Sequence, residues 1–243
     1  MTGTSSEDIS PQRDAQLQFK WEAAQDAVKY IEDGMAVGLG SGTTASVMID
    51  ALAARVKNEN LRIRAIPTSE ASGEQARRLG ITLSDFVQDP ILDIAIDGAD
   101  EIDRKSLTLI KGRGGALLRE KIVASAARKF IVIVDDRKIV DSLGSRMPLP
   151  IEVIPWGWER IQTLLISKIG ARTAHPRTEK DGRIYQTDNH NFILDCVFDP
   201  ITDAASLARD IAAITGVVDH GLFIDMTSEV LVAGQNGVAS LRR

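Results

Sequence analysis

The apolar positions of this chain keep two rhythms. Leu17, Trp21, Ala24, Val28 and Ile31 recur at helical spacing, which predicts a helix with those residues on its core face, and Asp33-Gly34 supplies a stop. Beyond it, short apolar runs alternate with longer amphipathic stretches. Met35 to Leu39, the run before Pro67, Ile81 to Leu83, Leu92 to Ile96, Leu107 to Ile110 and Phe130 to Val134 read as strands. Helices are expected over Ala45 to Lys57, over the segment closed by Gly80 with Ser69 or Ser72 as its N-cap, and after the glycines at 112, 114 and 115. Alternation of apolar strands with helices implies an α/β fold, a Rossmann-like parallel sheet covered on both faces.

The rhythm changes at Gly144 to Pro150, where GSRMPLP reads as a hinge or linker. Strand Ile151 to Ile154, helix Trp156 to Ile169, strand Ala171 to Thr173, strand Phe192 to Phe198, a helix near Asp203 to Ile214 and strand Val217 to Phe223 follow, with a turn at Lys180-Asp181-Gly182. That β-α-β-β-α-β order matches a smaller, inserted ferredoxin-like α+β domain. Val230 to Ala233 and Val238 to Leu241 are expected to return to the first sheet. The expected organisation is a disordered, polar tail over 1–12, a Rossmann-like domain over 13–146 and 224–243, and the inserted domain over 147–223.

Chemistry gathers where strands end. Gly40-Ser41-Gly42-Thr43-Thr44 lies between a strand and a helix, so converging amides, hydroxyls and a helix N-terminus suit a phosphate; no Lys follows the second glycine, which excludes a Walker loop. Asp97 and Asp100 fall where a buried strand stops, the edge at which open α/β sheets bind ligands. Glu101 and Asp103, in the same acidic run, read as a solvated turn. Lys111 ends the next strand, Gly112, Gly114 and Gly115 follow it, and Glu120 lies about one turn into a helix. Lys138 again marks a strand end. Acids, a cation and a glycine nest so close together suggest proton transfer on an anionic small molecule. A Mg²⁺ ion on the aspartates would compete with Lys111, so no metal is expected.

Bulk properties narrow this further. At 243 residues there is room for one large domain or two unequal ones, and a net charge of -5 argues against nucleic acid as a partner. The single cysteine, Cys196, sits in an apolar run and forms no intrachain disulfide, which fits a reducing compartment. His175, His190 and His220 lack metal-ligand spacing. No run approaches a membrane span and the N-terminus lacks an apolar signal core, so a cytoplasmic protein with no membrane partner is expected.

The segments VGLGSGTTA (Val37 to Ala45), DGADEID (Asp97 to Asp103), KGRGGALLREKI (Lys111 to Ile122), PLPIEVIP (Pro148 to Pro155) and TDNHNFILD (Thr187 to Asp195), with the Lys138 region, resemble ribose-5-phosphate isomerases of type A. That family commonly has Gly-Thr-Gly-Ser-Thr where this chain has Gly-Ser-Gly-Thr-Thr, which keeps a hydroxyl at each place. The resemblance implies an aldose–ketose isomerase acting on pentose 5-phosphates through an enediolate, without metal or organic cofactor, in a homo-oligomer, dimeric or tetrameric. It implies Glu120 as general base and Asp97, Asp100 and Lys111 in polar catalytic roles; opening the furanose ring needs acid–base help, for which Asp97 is the first candidate, though the sequence does not decide between the two aspartates. Substrate contacts are implied for Ser41, Gly42, Thr43, Thr44, Gly98, Ala99, Gly112, Arg113, Gly114 and Lys138, and Lys20 is placed near the phosphate. A non-catalytic sugar-phosphate sensor would need an appendage for a partner, and the short N-terminal tail is not basic. An amino-sugar phosphate isomerase-deaminase or a CoA transferase on a related sheet is opposed by the intact lysine-glycine-glutamate segment.

Overall fold

The computed structural model describes residues 11–242, with side chains from Gln16 onward; most of the expected tail, residues 1–10, lies outside the described residues. Helix α1 spans Pro11–Val28. It packs on α2 (Gly42–Glu59), and the close contact is made by small residues, Ala23, Ala24 and Ala27, with Val28 and Ile31. Leu17 and Trp21, expected on the core face, are exposed instead, because alanines set the helix–helix approach and the bulkier side chains stay at the rim.

The first sheet holds β1 (Ala36–Leu39), β2 (Arg64–Pro67), β3 (Ile94–Asp97), β6 (Phe130–Asp135), β13 (Glu229–Gly234) and β14 (Gly237–Arg242), in the order β14-β13-β6-β3-β1-β2. All its pairings are parallel except the β13–β14 hairpin at the edge. From β1 the chain goes outward to β2, then crosses to β3 on the other side. The carboxyl ends of β1 and β3 therefore diverge into the crevice that such a switch point creates. Helix α3 (Glu70–Arg78) begins in a capping box in which Ser69 and Ser72 satisfy each other's backbone N–H groups, so both candidate serines take part.

A second sheet comprises β8 (Leu149–Val153), β9 (Thr173–Pro176), β10 (Phe192–Val197) and β11 (Val217–His220), antiparallel throughout in the order β11-β8-β10-β9. With α5 (Trp158–Ser167) and α6 (Ala204–Ala212) it completes the inserted ferredoxin-like unit around Ile151, Ile161, Leu194 and Ile211.

A third, small sheet joins the two units: β12 (Leu222–Phe223), β5 (Leu109–Ile110), β4 (Glu101–Asp103) and β7 (Ile139–Val140), in that order. It overturns three expectations. Val217 to Phe223 is not one strand but two, broken at Gly221, where a Cβ would overlap the Lys111 carbonyl. The acidic run is a strand rather than a solvated turn. Glu101 is 1% exposed and accepts the N–H groups of Gly144, Arg146 and Met147 at 2.6, 2.7 and 2.8 Å, so the expected hinge is tied to it. Asp103 caps its own turn by accepting from Ser106. Elsewhere, Ile81 to Leu83 forms only a single bridge, Leu83 to Ala65, because Asp85 accepts the N–H groups of Val87 and Gln88 and turns the chain away. Helix α2 starts at Gly42, inside the expected glycine turn.

Candidate active site

Ser41 is the N-cap residue of α2, yet its side chain does not cap the helix. Its hydroxyl bonds Thr68 and Ser69 across the crevice, each at 2.7 Å. The amides of the first turn, from Gly42 to Thr44, are therefore left for a ligand, at the positive end of the helix dipole. Lys20 reaches in from α1 and donates to the Thr43 hydroxyl at 2.7 Å. Burial, Lys138 and Arg137 pull the Lys20 pKa below its ordinary value, against the opposing pull of Asp135. Cations crowded around a helix N-terminus are an environment an anion would relieve.

Asp97 ends β3 and is 3% exposed. Its Oδ1 accepts the N–H groups of Ser41 at 3.1 Å and Gly98 at 2.7 Å. Gly40 makes room for it, since any Cβ there would overlap the carboxylate. Lys111 follows β5, also 3% exposed. Its ammonium donates to the Gly98 carbonyl at 2.6 Å and lies 3.0 Å from Asp97 Oδ2 and 3.3 Å from Glu120 Oε2. The Phe223 ring centroid lies 5.5 Å away. Burial alone would lower the Lys111 pKa, but Asp97 and Glu120 outweigh it, so the ammonium holds its proton above the ordinary lysine value.

Glu120 stands in the first turn of α4 (Leu117–Ala126) and is 6% exposed. Its Oε2 is buried without a hydrogen bond: Lys111 is close enough for an ion pair but not in bonding geometry. Burial, reinforced by Asp97 and Asp100 against Lys111, pushes the Glu120 pKa up to about 8. For Asp97, burial also drives the pKa upward, opposed by Lys111 and the two amides. Asp100 accepts the Arg113 N–H on Oδ2 at 2.9 Å; its other oxygen makes no hydrogen bond among the described residues.

These groups border one cavity of about 670 Å³. Lys20, Ser41, Gly42, Thr43, Thr44 and Lys138 line its cationic end. Gly98, Ala99, Asp100, Gly112, Arg113 and Gly114 line the cavity too, with the buried Lys111 and Glu120. Asp97 lies just behind that wall, holding Lys111. The structure thus brings every residue singled out in the sequence to one place. It adds Gln16, Asp135, Arg137, Arg146 and Met147, which sequence reasoning missed. Arg137 had a signal, as the neighbour of Lys138 after a strand; it forks onto Asp135 at 2.9 and 3.0 Å. Arg146 and Met147 had none, because Glu101, which holds their loop, is remote in sequence. Among the described residues no group of His, Cys, Asp or Glu is arranged to hold a metal ion.

The family model for ribose 5-phosphate isomerase A (phosphoriboisomerase A) matches residues 64–237. The chain belongs to the ribose 5-phosphate isomerase A family. Ribose-5-phosphate isomerase A of Gluconobacter oxydans is 53% identical over 219 residues, covering 90% of this chain and 94% of that protein. The Synechococcus protein of the same name is 46% identical over 230 residues, covering 93% and 97%. Among solved structures, ribose 5-phosphate isomerase A of Methanocaldococcus jannaschii superposes with a TM-score of 0.89 at 39% identity, covering 94% of this chain and 100% of that one. A D-ribose-5-phosphate isomerase in complex with phospho-erythronic acid superposes with a TM-score of 0.89 at 40% identity, covering 93% and 99%.

Proposed function

We propose a division of labour among the cavity residues for the reaction that belongs to this family. The chain is an aldose–ketose isomerase that interconverts D-ribose 5-phosphate and D-ribulose 5-phosphate through an enediolate. The observation that carries the assignment is the buried Glu120 oxygen without a hydrogen bond, beside an ammonium that keeps its proton.

The substrate phosphate is held by the open amides of Gly42 to Thr44 with Lys20 and Lys138, a dianion on a helix N-terminus. Asp100, with one oxygen to spare at the cavity face, takes part in opening the furanose ring. That role moves from Asp97, both of whose oxygens are engaged by Ser41, Gly98 and Lys111. Glu120 then takes the proton from C2 of the open aldose. Negative charge passes to the C1 oxygen, where Lys111 and the backbone of the glycine turn meet it. Glu120 returns the proton to C1, and the proton of the C2 hydroxyl moves to the C1 oxygen, leaving the ketose. One carboxylate serves both carbons because they are adjacent.

The test is direct measurement of ribulose 5-phosphate formed from ribose 5-phosphate. The wild-type chain is expected to turn over. Glu120→Gln is expected to fold normally and lose activity by several orders of magnitude; near-normal turnover in that variant would remove Glu120 from its role. We further propose a cytoplasmic homo-oligomer, dimeric or tetrameric. The single buried cysteine supports the compartment, and exposed apolar side chains such as Trp156 and Ile154 are surface that an assembly would cover. The domain limits 13–146 with 224–243, and 147–223, are supported by the grouping of β8 to β11 in a sheet of their own.

A further inference from the structure

Gly114 lines the cavity, and its amide makes no hydrogen bond among the described residues. Its orientation traces to the inserted unit. Arg177, directly after β9, forks onto Asp195 with Nε at 3.0 Å and Nη2 at 2.6 Å. Its remaining nitrogen, Nη1, donates to the carbonyl oxygens of Gly112 and Arg113, both at 2.9 Å. In a planar trans peptide the carbonyl and the following N–H point in opposite directions. Drawing the Gly112 carbonyl toward Arg177 turns the Arg113 N–H away from it, where Asp100 accepts it at 2.9 Å. Drawing the Arg113 carbonyl the same way turns the Gly114 N–H away too, and there no protein group accepts it.

Within the turn the Gly115 N–H donates to the Gly112 carbonyl at 3.0 Å, but among the described residues no group of the turn holds the Arg113 carbonyl, whose peptide carries the Gly114 N–H. Gly112 sits at φ +103, and a backbone so rich in glycine has many alternatives. The guanidinium supplies the selection for the Arg113–Gly114 peptide. Tyr185 reinforces it by packing on Gly115 so closely that a Cβ there would overlap its hydroxyl, with the Arg177 guanidinium 6.0 Å from the Tyr185 ring centroid. A lysine would supply the charge without a fork able to bind a carboxylate and two carbonyls at once.

The geometry points to Arg177 as a positioning residue for isomerisation: by holding two carbonyls of the glycine turn, it aims the Gly114 N–H at the oxygen that gains charge in the enediolate. This rests on the isomerase reading of the same cavity. Full-length wild type, Arg177→Gln and Asp195→Asn are compared by steady-state kinetics. Binding of phospho-erythronic acid, whose carboxylate stands for the enediolate oxygens, and of inorganic phosphate is measured alongside.

For Arg177→Gln, kcat is expected to fall about 10²-fold, the cost of losing one such donor, with KM little changed. Affinity for phospho-erythronic acid falls with it, and affinity for inorganic phosphate stays at the wild-type value. Asp195→Asn, which loosens the fork but keeps the guanidinium, is expected to lie between the two, and it decides the matter if Arg177→Gln does not fold. Unchanged turnover in both variants overturns the assignment. So does equal weakening of both ligands, which would mark a general collapse of the site. Absence of isomerisation by the wild type would instead overturn the underlying reading, and is distinct from either result.

Discussion

A carboxylate is a poor base at neutral pH unless its surroundings raise its affinity for a proton, and Glu120 shows how that is done. Burial takes water from it, Asp97 and Asp100 add like charge, and Lys111 opposes them without prevailing. Since the base must be unprotonated to act, kcat/KM is expected to rise tenfold per pH unit below about 8 and level off above it; a profile flat from pH 6 to 9 would contradict this. The same shift acts on stability. Its pKa is higher folded than unfolded, so between the ordinary glutamate value of 4.5 and about 8 the folded chain holds the extra proton, and this group's contribution to stability falls as pH rises. Glu120→Gln removes that slope and is expected to melt no lower than wild type at pH 8. At this scale the sequence was readable where neighbours are close along the chain: Asp97, Asp100, Lys111 and Glu120 all lie between the end of β3 and the first turn of α4. Glu101 was misread, because its three amide partners arrive from a loop more than forty residues away.

Among the elements, β4 and the loop before β8 depend on each other. Glu101 gathers three amides from that loop, and Arg146 and Met147 on it line the cavity. Glu101→Gln replaces one accepting oxygen with a donor facing donors. Thermal or urea unfolding is expected to register a loss of about 2 kcal/mol. KM for ribose 5-phosphate should rise more than kcat falls, since the loop borders the cavity without reaching Glu120. Unaltered KM would detach the loop from substrate binding. Periodicity found the strands and helices of both larger sheets because each buries a continuous apolar face. The third sheet was found only in part: β5 lies inside the expected strand Leu107 to Ile110 and β12 inside Val217 to Phe223, but β4 and β7, of three and two residues, are too short to establish any period.

For the whole molecule, the end of the sheet opposite the cavity is tied by Glu229 at the start of β13. Its carboxylate accepts from Tyr30 on the α1 side at 2.9 Å and from Ser240 and Arg242 on β14 at 2.7 and 2.8 Å, and it pairs with Lys129 at 3.1 Å. Burial raises its pKa, but these four partners outweigh burial and bring it down to about 2. A depressed carboxylate stabilises above its unfolded pKa, and the contribution drains away as pH falls from about 4.5 to about 2. Glu229→Gln is therefore expected to destabilise by about 2 kcal/mol at pH 7, allowing for the exposure of Lys129 and Arg242, and by much less at pH 3, with activity per folded molecule intact. The β-α-β-β-α-β order of the inserted unit was legible in the sequence because its strands are long enough to alternate. Its grip on the glycine turn through Arg177 was not, since that contact joins residues 65 apart.

One feature of the seam between the units bears on how they can move against each other. The main-chain N–H of Lys111 donates to the Gly221 carbonyl at 2.9 Å, at the point where the chain leaves the inserted unit, and side-chain bulk at Gly221 is barred by the Lys111 carbonyl. The reactive ammonium is thus riveted to the joint itself. A jaw-like swing of one half against the other would have to break this hydrogen bond and draw that ammonium off Asp97 and Glu120, so the joint and the proton-transfer site hold or fail together.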